Sequence, residues 1–231
     1  MEHSLYQGWL NSGKVDGVVL NRIQKNDWRV QYLSAANFPF SALGQSQDGV
    51  AYPHIRIDGA QGYLELIQHL QQGGFSRMAF IGGHVNLINH IDRLAWFTAA
   101  LEKFGLPFDA DLFLSADMTS AGGYDAARRL LSLANPPDAI LCVNDETAFG
   151  ALHAGHEIGL AIGQDLAIAG FEGVQASLHS EPALTTLDIP VAEIAHQLVI
   201  MLLSKFNNET VVVDEMIVRP TLLVRASTGT K

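Results

Sequence analysis

Cysteine is almost missing from this chain. Cys142 is the single one among 231 residues, which excludes an internal disulfide and any cysteine-built metal knuckle. It sits inside an apolar run, where a thiol behaves as a small hydrophobe, and the reading is a reducing compartment. Cations are scarce as well: 14 Lys and Arg against 24 Asp and Glu leave a formal net charge of -10. Gripping phosphates requires clustered Lys and Arg, so these residues are not expected to hold nucleic acid themselves. No apolar stretch reaches the length of a membrane span, and Met1 to Gln7 show neither a basic n-region nor an apolar h-region. The expectation is a cytoplasmic chain with no membrane contact.

Catalytic and cofactor motifs are equally sparse. No glycine-rich phosphate loop follows a strand. Gly44-Gln45-Ser46-Gln47-Asp48 stops one residue short of a nucleophile elbow, and the next segment is a proline-containing strand where a helix is required. The nine histidines include His153-x-x-His156 and the pair His84 and His90, none backed by a carboxylate-and-cysteine set. The chain therefore reads as a non-enzyme without a cofactor or metal.

What is present is apolar and regularly spaced. Hydrophobic residues make up 48% and charged ones 16%, enough for one large core or two smaller ones. Two apolar runs end alike: Asp138 to Val143 stops at Asn144-Asp145, and Leu166 to Gly170 stops at Phe171-Glu172. Short, nearly uncharged runs of this kind read as strands buried on both faces of a parallel sheet. Ligands in open α/β sheets bind at the carboxyl edge of such strands. Two carboxylates and an asparagine delivered to one rim suit a neutral polyhydroxyl ligand better than a phosphate.

Strands and helices alternate around these runs. Strands are expected over Asp16–Leu20, Pro39–Leu43, Ile55–Ile57, Met78–Ile81 and Leu112–Leu114, and in the later segments Val211–Val213, Met216–Val218 and Leu222–Val224. Helical faces are made by Tyr63, Leu64, Ile67 and Leu70; by Leu94, Phe97, Leu101 and Phe104; and by Tyr124, Ala127, Leu130 and Leu131 after a cap at Thr119 or Ser120. A further helix is expected from about Glu146 to Ile158, and another behind Pro190 as an N1 proline. Strand, helix and strand at this spacing imply right-handed crossovers and parallel sheets. The fold class is α/β, two doubly wound parallel-sheet lobes, with the Gly82-Gly83 pair read as a crossing point between them.

An ordered set of short strings resembles the LacI/GalR transcriptional regulators. It runs through Val15-Asp16-Gly17-Val18-Val19-Leu20, Tyr52-Pro53-His54-Ile55-Arg56-Ile57-Asp58-Gly59 and Met78-Ala79-Phe80-Ile81-Gly82-Gly83. It continues through Asp92-Arg93-Leu94, Pro137-Asp138-Ala139-Ile140, Asn144-Asp145, Ala169-Gly170-Phe171-Glu172, Pro182-Ala183-Leu184-Thr185-Thr186 and Leu223-Val224-Arg225-Ala226-Ser227. The resemblance is to the effector-binding domain and covers nearly the whole chain.

That resemblance implies a periplasmic-binding-protein-like fold of two lobes with a ligand cleft between them, an N-lobe of 1–84 plus 189–207 and a C-lobe of 85–188 plus 208–231. It implies a homodimer, a small effector, commonly a sugar, and operator DNA read through a headpiece that this sequence lacks. The family's first N-lobe strands and helix have no counterpart either, so Met1 to Lys14 match the tail of the second helix and the N-lobe is expected to be incomplete. Carried over residue by residue, Arg93 donates to ligand hydroxyls, Asn144 and Asp145 form the Asn-Asp pair, and Glu172 stands where relatives have aspartate. Phe171 is placed to cover a sugar's apolar face, and Met118 occupies a cleft-edge position that is aromatic in some relatives. The alternative within the same fold is a sugar-binding receptor of an ABC transporter.

Overall fold

The computed structural model describes residues 2–206 and 215–229. The expected strand Val211–Val213 lies outside them. The described chain forms α1 (Glu2–Ser12), β1 (Val18–Leu20), α2 (Trp28–Ala35), β2 (Phe40–Leu43), β3 (His54–Ile57), α3 (Ala60–Gln72), β4 (Met78–Gly82), α4 (Ile88–Lys103) and β5 (Phe113–Ser115). It continues with α5 (Ser120–Leu131), β6 (Ala139–Cys142), α6 (Asp145–Glu157), β7 (Ala167–Glu172), α7 (Ala176–His179), β8 (Thr185–Asp188), α8 (Val191–Ser204), β9 (Glu215–Val218) and β10 (Thr221–Leu223).

The chain divides into two units, Met1–Ile57 with Leu87–Asn89 and Pro190–Val218, and Asp58–Asn86 with His90–Ile189 and Arg219–Lys231. The first holds a parallel sheet in the order β1-β2-β3-β9. α8 lies on that sheet, where Ser41 donates to the Leu198 carbonyl at 2.8 Å and Gly17 lets Leu202 and Phe206 close in. Asp27, fully buried, caps α2 and pairs with Arg29 at 2.6 Å.

The second unit holds a six-stranded sheet in the order β10-β8-β7-β6-β4-β5, parallel except for β10 against β8. The core on one face joins Ile81, Ile140, Cys142 and Ile168 to Ala127, Leu130, Ala148 and Leu152. α5 and α6 come into backbone contact there, because Gly123 faces the Thr147 carbonyl and Gly150 faces that of Ser120.

Two expectations about the division are corrected. The boundary falls after Ile57, not at 84, because β4 is buried along its whole length between β5 and β6 of the second sheet. Gly82-Gly83 is accordingly a point of close approach, where added Cβ atoms would run into the His90 ring and the Met118 side chain. The late strand β9 belongs to the first unit through its pairing with β3, so the second unit resumes at Arg219 and not at 208. Pro190 is the residue before α8, not its first turn.

Candidate ligand-binding site

All six expected site residues fall in the second unit, gathered around the carboxyl side of β6 and β7. Buried strands deliver the first groups. β6 runs out at Val143, and Asn144 takes the extended conformation that starts α6. The Asn144 Oδ1 accepts from the Thr147 amide at 3.1 Å and its hydroxyl at 2.5 Å, while Nδ2 donates to the Met118 carbonyl at 3.3 Å. The side chain is thereby engaged on both ends in capping and in holding the β5–α5 connection.

Asp145 is fully buried. Its Oδ1 accepts from the Thr186 hydroxyl at 2.6 Å and its Oδ2 from the Val174 amide at 2.8 Å. Burial pushes its carboxyl up to about 6, against the lowering effect of those hydrogen bonds.

Arg93, on α4, is buried, with its Nη1 donating to the Val143 carbonyl and its Nη2 3.7 Å from a Glu172 oxygen. Its guanidinium carbon lies 3.8 Å from the centroid of the Phe171 ring. Loss of solvent lowers the arginine's affinity for its proton, partly countered by Glu172. Phe171 stacks in turn on Tyr63 of α3 at 6.2 Å, and Tyr63 meets Trp96 of α4 at 6.1 Å. The Phe171 ring is wholly buried, in contact with both a cation and an aromatic side chain.

Glu172 is the most open of the six, with its side chain 32% exposed. Its φ of +110° is a conformation that residues with a Cβ rarely adopt, and Gly173 follows at +72°. Met118, also at positive φ, is buried against Gly83.

Arg93, Phe171 and Glu172 thus form one contact group, joined to Asn144 and Asp145 through the Val143 carbonyl, and Met118 is tied in through its backbone. Sequence reasoning missed Tyr63, Thr186 and His90. His90 is buried, its Nδ1 accepts from the Gly83 amide at 3.1 Å, and burial favours its neutral form. One signal was available: a glycine at 170 inside an apolar strand marks a close approach, and an added Cβ there would strike Asp145 Oδ1.

Among the described residues, no group of three or more His, Cys, Asp or Glu is placed to hold a metal ion, and no helix is long and apolar enough to cross a membrane.

The family described as a periplasmic binding protein-like domain matches residues 67–228. A LacI-family regulatory protein from Chloroflexus aggregans, known from its crystal structure, superposes with a TM-score of 0.83 at 31% identity, over 99% of this chain and 82% of that one. The chain belongs to the LacI family. Among its LacI-type relatives, the HTH-type transcriptional regulator AglR of Rhizobium meliloti (strain 1021) is 31% identical over 232 residues, which span 99% of this chain and 65% of AglR. The structure of the transcriptional regulator CelR in complex with cellobiose matches with a TM-score of 0.88 at 27% identity, over 98% of this chain and 70% of that one. The two-sheet α/β architecture is that of LacI-family structures.

Proposed function

We propose that this chain is the ligand-sensing part of a sugar-responsive LacI-type transcriptional regulator, with no enzymatic activity of its own, acting in the cytoplasm. The observation that carries the reading is the Arg93–Glu172 pair at the end of β7, a buried cation whose charge is answered within the chain by a half-open carboxylate. Such a pair offers a donor and an acceptor to a neutral polyol. An anionic ligand would instead add charge beside both Glu172 and Asp145. The effector class is therefore a small neutral carbohydrate, and the cellobiose carried by the CelR structure makes that disaccharide the first probe.

Arg93 and Glu172 are assigned ligand contact, with Phe171 supporting the guanidinium from beneath. Asn144, Asp145 and Met118 are assigned the shaping of the rim. Effector binding shifts a conformational equilibrium only through contacts that differ between its states. Operator DNA is assigned to a headpiece outside this sequence, in keeping with the net charge of -10. The regulator reading is favoured over a transport receptor because the matched relatives are regulators.

A homodimer belongs to the same reading. Its support is exposed apolar side chains on the second unit, among them Leu178 and Ile158, each more than half exposed. Sedimentation velocity tests it.

The deciding experiment is a thermal-shift panel of mono- and disaccharides, cellobiose included, set beside sugar phosphates. A neutral sugar should raise the melting temperature of the wild-type chain, and Arg93→Ala should weaken binding at least several-fold in calorimetry with the fold intact. A panel in which only phosphorylated sugars stabilise the protein would overturn the proposed effector class.

A further inference from the structure

The turn that carries Glu172 is held from outside itself. Glu172 and Gly173 both have positive φ, and for Glu172 that conformation is unfavourable unless its surroundings impose it. The restraint is visible. The Gly173 amide donates to the Thr186 hydroxyl at 3.3 Å, that hydroxyl donates to Asp145 Oδ1 at 2.6 Å, and the neighbouring Val174 amide donates to Asp145 Oδ2 at 2.8 Å. One carboxylate therefore collects two successive amides of the turn, one directly and one through a threonine.

The sheet is built to admit that carboxylate. Gly170 pairs with Thr186 across β7 and β8, and any side chain at 170 would occupy the position of Oδ1. The turn is closed on its other side by Asp188, opposite Glu172 in register, whose carboxylate lies where a Cβ on Gly173 would go.

We propose that Asp145 is a positioning residue, a proton-sensitive latch whose ionised carboxylate holds the 172–174 turn so that Glu172 faces Arg93, and whose protonation releases that turn. This rests on the preceding reading insofar as Glu172 belongs to the sensing site. A protonated carboxyl keeps one acceptor oxygen but turns the other into a donor, which cannot accept fully from the Val174 amide. The latch therefore loosens as acid is added.

The titratable groups facing the arrangement are Glu172 on β7, Arg93 on α4, Cys142 on β6 and Asp188 on β8. Burial, and to a smaller degree Glu172, make Asp145 harder to ionise and together place the transition at about 6. The Cys142 thiol is itself pushed upward by burial and stays neutral across the range. Arg93 supplies the opposing positive charge.

The test needs no sugar. In the ¹⁵N-labelled full chain, the amide signals of Gly173 and Val174 and the Arg93 Nε signal are followed from pH 7.5 to 5.0. They should titrate together with a midpoint near 6 in the wild type. In Asp145→Asn they should be flat, and the Val174 amide should exchange at least tenfold faster at pH 7 than in the wild type.

Signals that stay flat in the wild type, or that titrate alike in a folded Asp145→Asn, overturn the proposal. If Asp145→Asn does not fold, Thr186→Ser and Thr186→Val decide. The serine keeps the hydroxyl and should match the wild type, the valine should lose the Gly173 response, and equal behaviour of the two overturns the latch. A failed sugar panel with this titration intact would instead sink the effector assignment alone.

Discussion

The guanidinium carbon of Arg93 lies 3.8 Å from the centroid of the Phe171 ring, which also stacks with Tyr63 at 6.2 Å. A cation over a buried ring, cut off from water, is worth about 2 kcal/mol. Arg93→Lys keeps the charge but loses the planar contact and the fork that reaches both Val143 and Glu172. It should lower the melting temperature by about 4 to 8 °C at about 2 to 4 °C per kcal/mol for a chain of this size, measured by calorimetric scanning. An unshifted melting temperature would mean that the stack contributes nothing to stability.

Close packing of α5 on α6 predicts an asymmetry among glycines. Gly123→Ala and Gly150→Ala would push a methyl group into the backbone of the facing helix, which neither helix can yield without moving apart. Each should cost about 3 kcal/mol, the upper end for overpacking. Gly8, exposed in α1 with nothing within 4 Å of an added Cβ, should behave oppositely. Gly8→Ala should stabilise by about 0.5 to 1 kcal/mol through helix propensity. Urea denaturation of the three variants checks the contrast.

Two buried aspartates should respond to acid with opposite sign. Burial alone would raise the Asp27 carboxyl, but hydrogen bonds from Arg29 and Gln24 hold it below its ordinary 3.8. Its stabilising contribution is present above 3.8 and is lost as pH falls through the lowered folded value. Asp27→Ala should cost about 3 kcal/mol at pH 7, because it strands the mostly buried Arg29. The gap from the wild type should narrow at pH 2.5.

Asp145 has its folded value raised to about 6, so the folded state holds its proton longer than the unfolded chain does. Its contribution is most favourable below 3.8, declines as pH climbs, and at pH 7 amounts to a deficit of roughly 3 kcal/mol at 1.36 kcal/mol per unit. Asp145→Asn should flatten the stability profile between pH 4 and 6. A profile as steep as that of the wild type would place the titration elsewhere.

Cys142 should be chemically silent while the protein is folded. It closes β6's run of fully buried positions, and burial raises its thiol well above the ordinary range, which suppresses the thiolate that reacts. A colorimetric disulfide reagent should therefore count no thiol in the native protein and one after unfolding.

The strands around the site were legible because a strand buried on both faces tolerates almost no charge. Met78–Ile81, Asp138–Val143 and Leu166–Gly170 stand out for that reason, and they match β4, β6 and β7 to within one or two residues. The cap of α5, expected at Thr119 or Ser120 and found at Thr119, was equally local, since the preference comes from the cap side chain and the backbone next to it. α2, α7 and β8 were not foreseen. α2 has only Val30 and Leu33 fully inside, too few to set a period, and α7 is a single turn.

What the sequence determined by itself was the alternation of strands and helices and the arrival of Asn144, Asp145, Phe171 and Glu172 at strand ends, because each depends on neighbours a few residues apart. Only the tertiary structure decided that β4 joins the second sheet and β9 the first, and that Asp145 turns inward to Thr186 and Val174. It also decided that Arg93 spends its charge on Glu172 and Phe171. Those outcomes depend on pairing and burial between segments 29 to 161 residues apart, such as Asp145 with Val174 and β3 with β9, for which no local pattern carries the information.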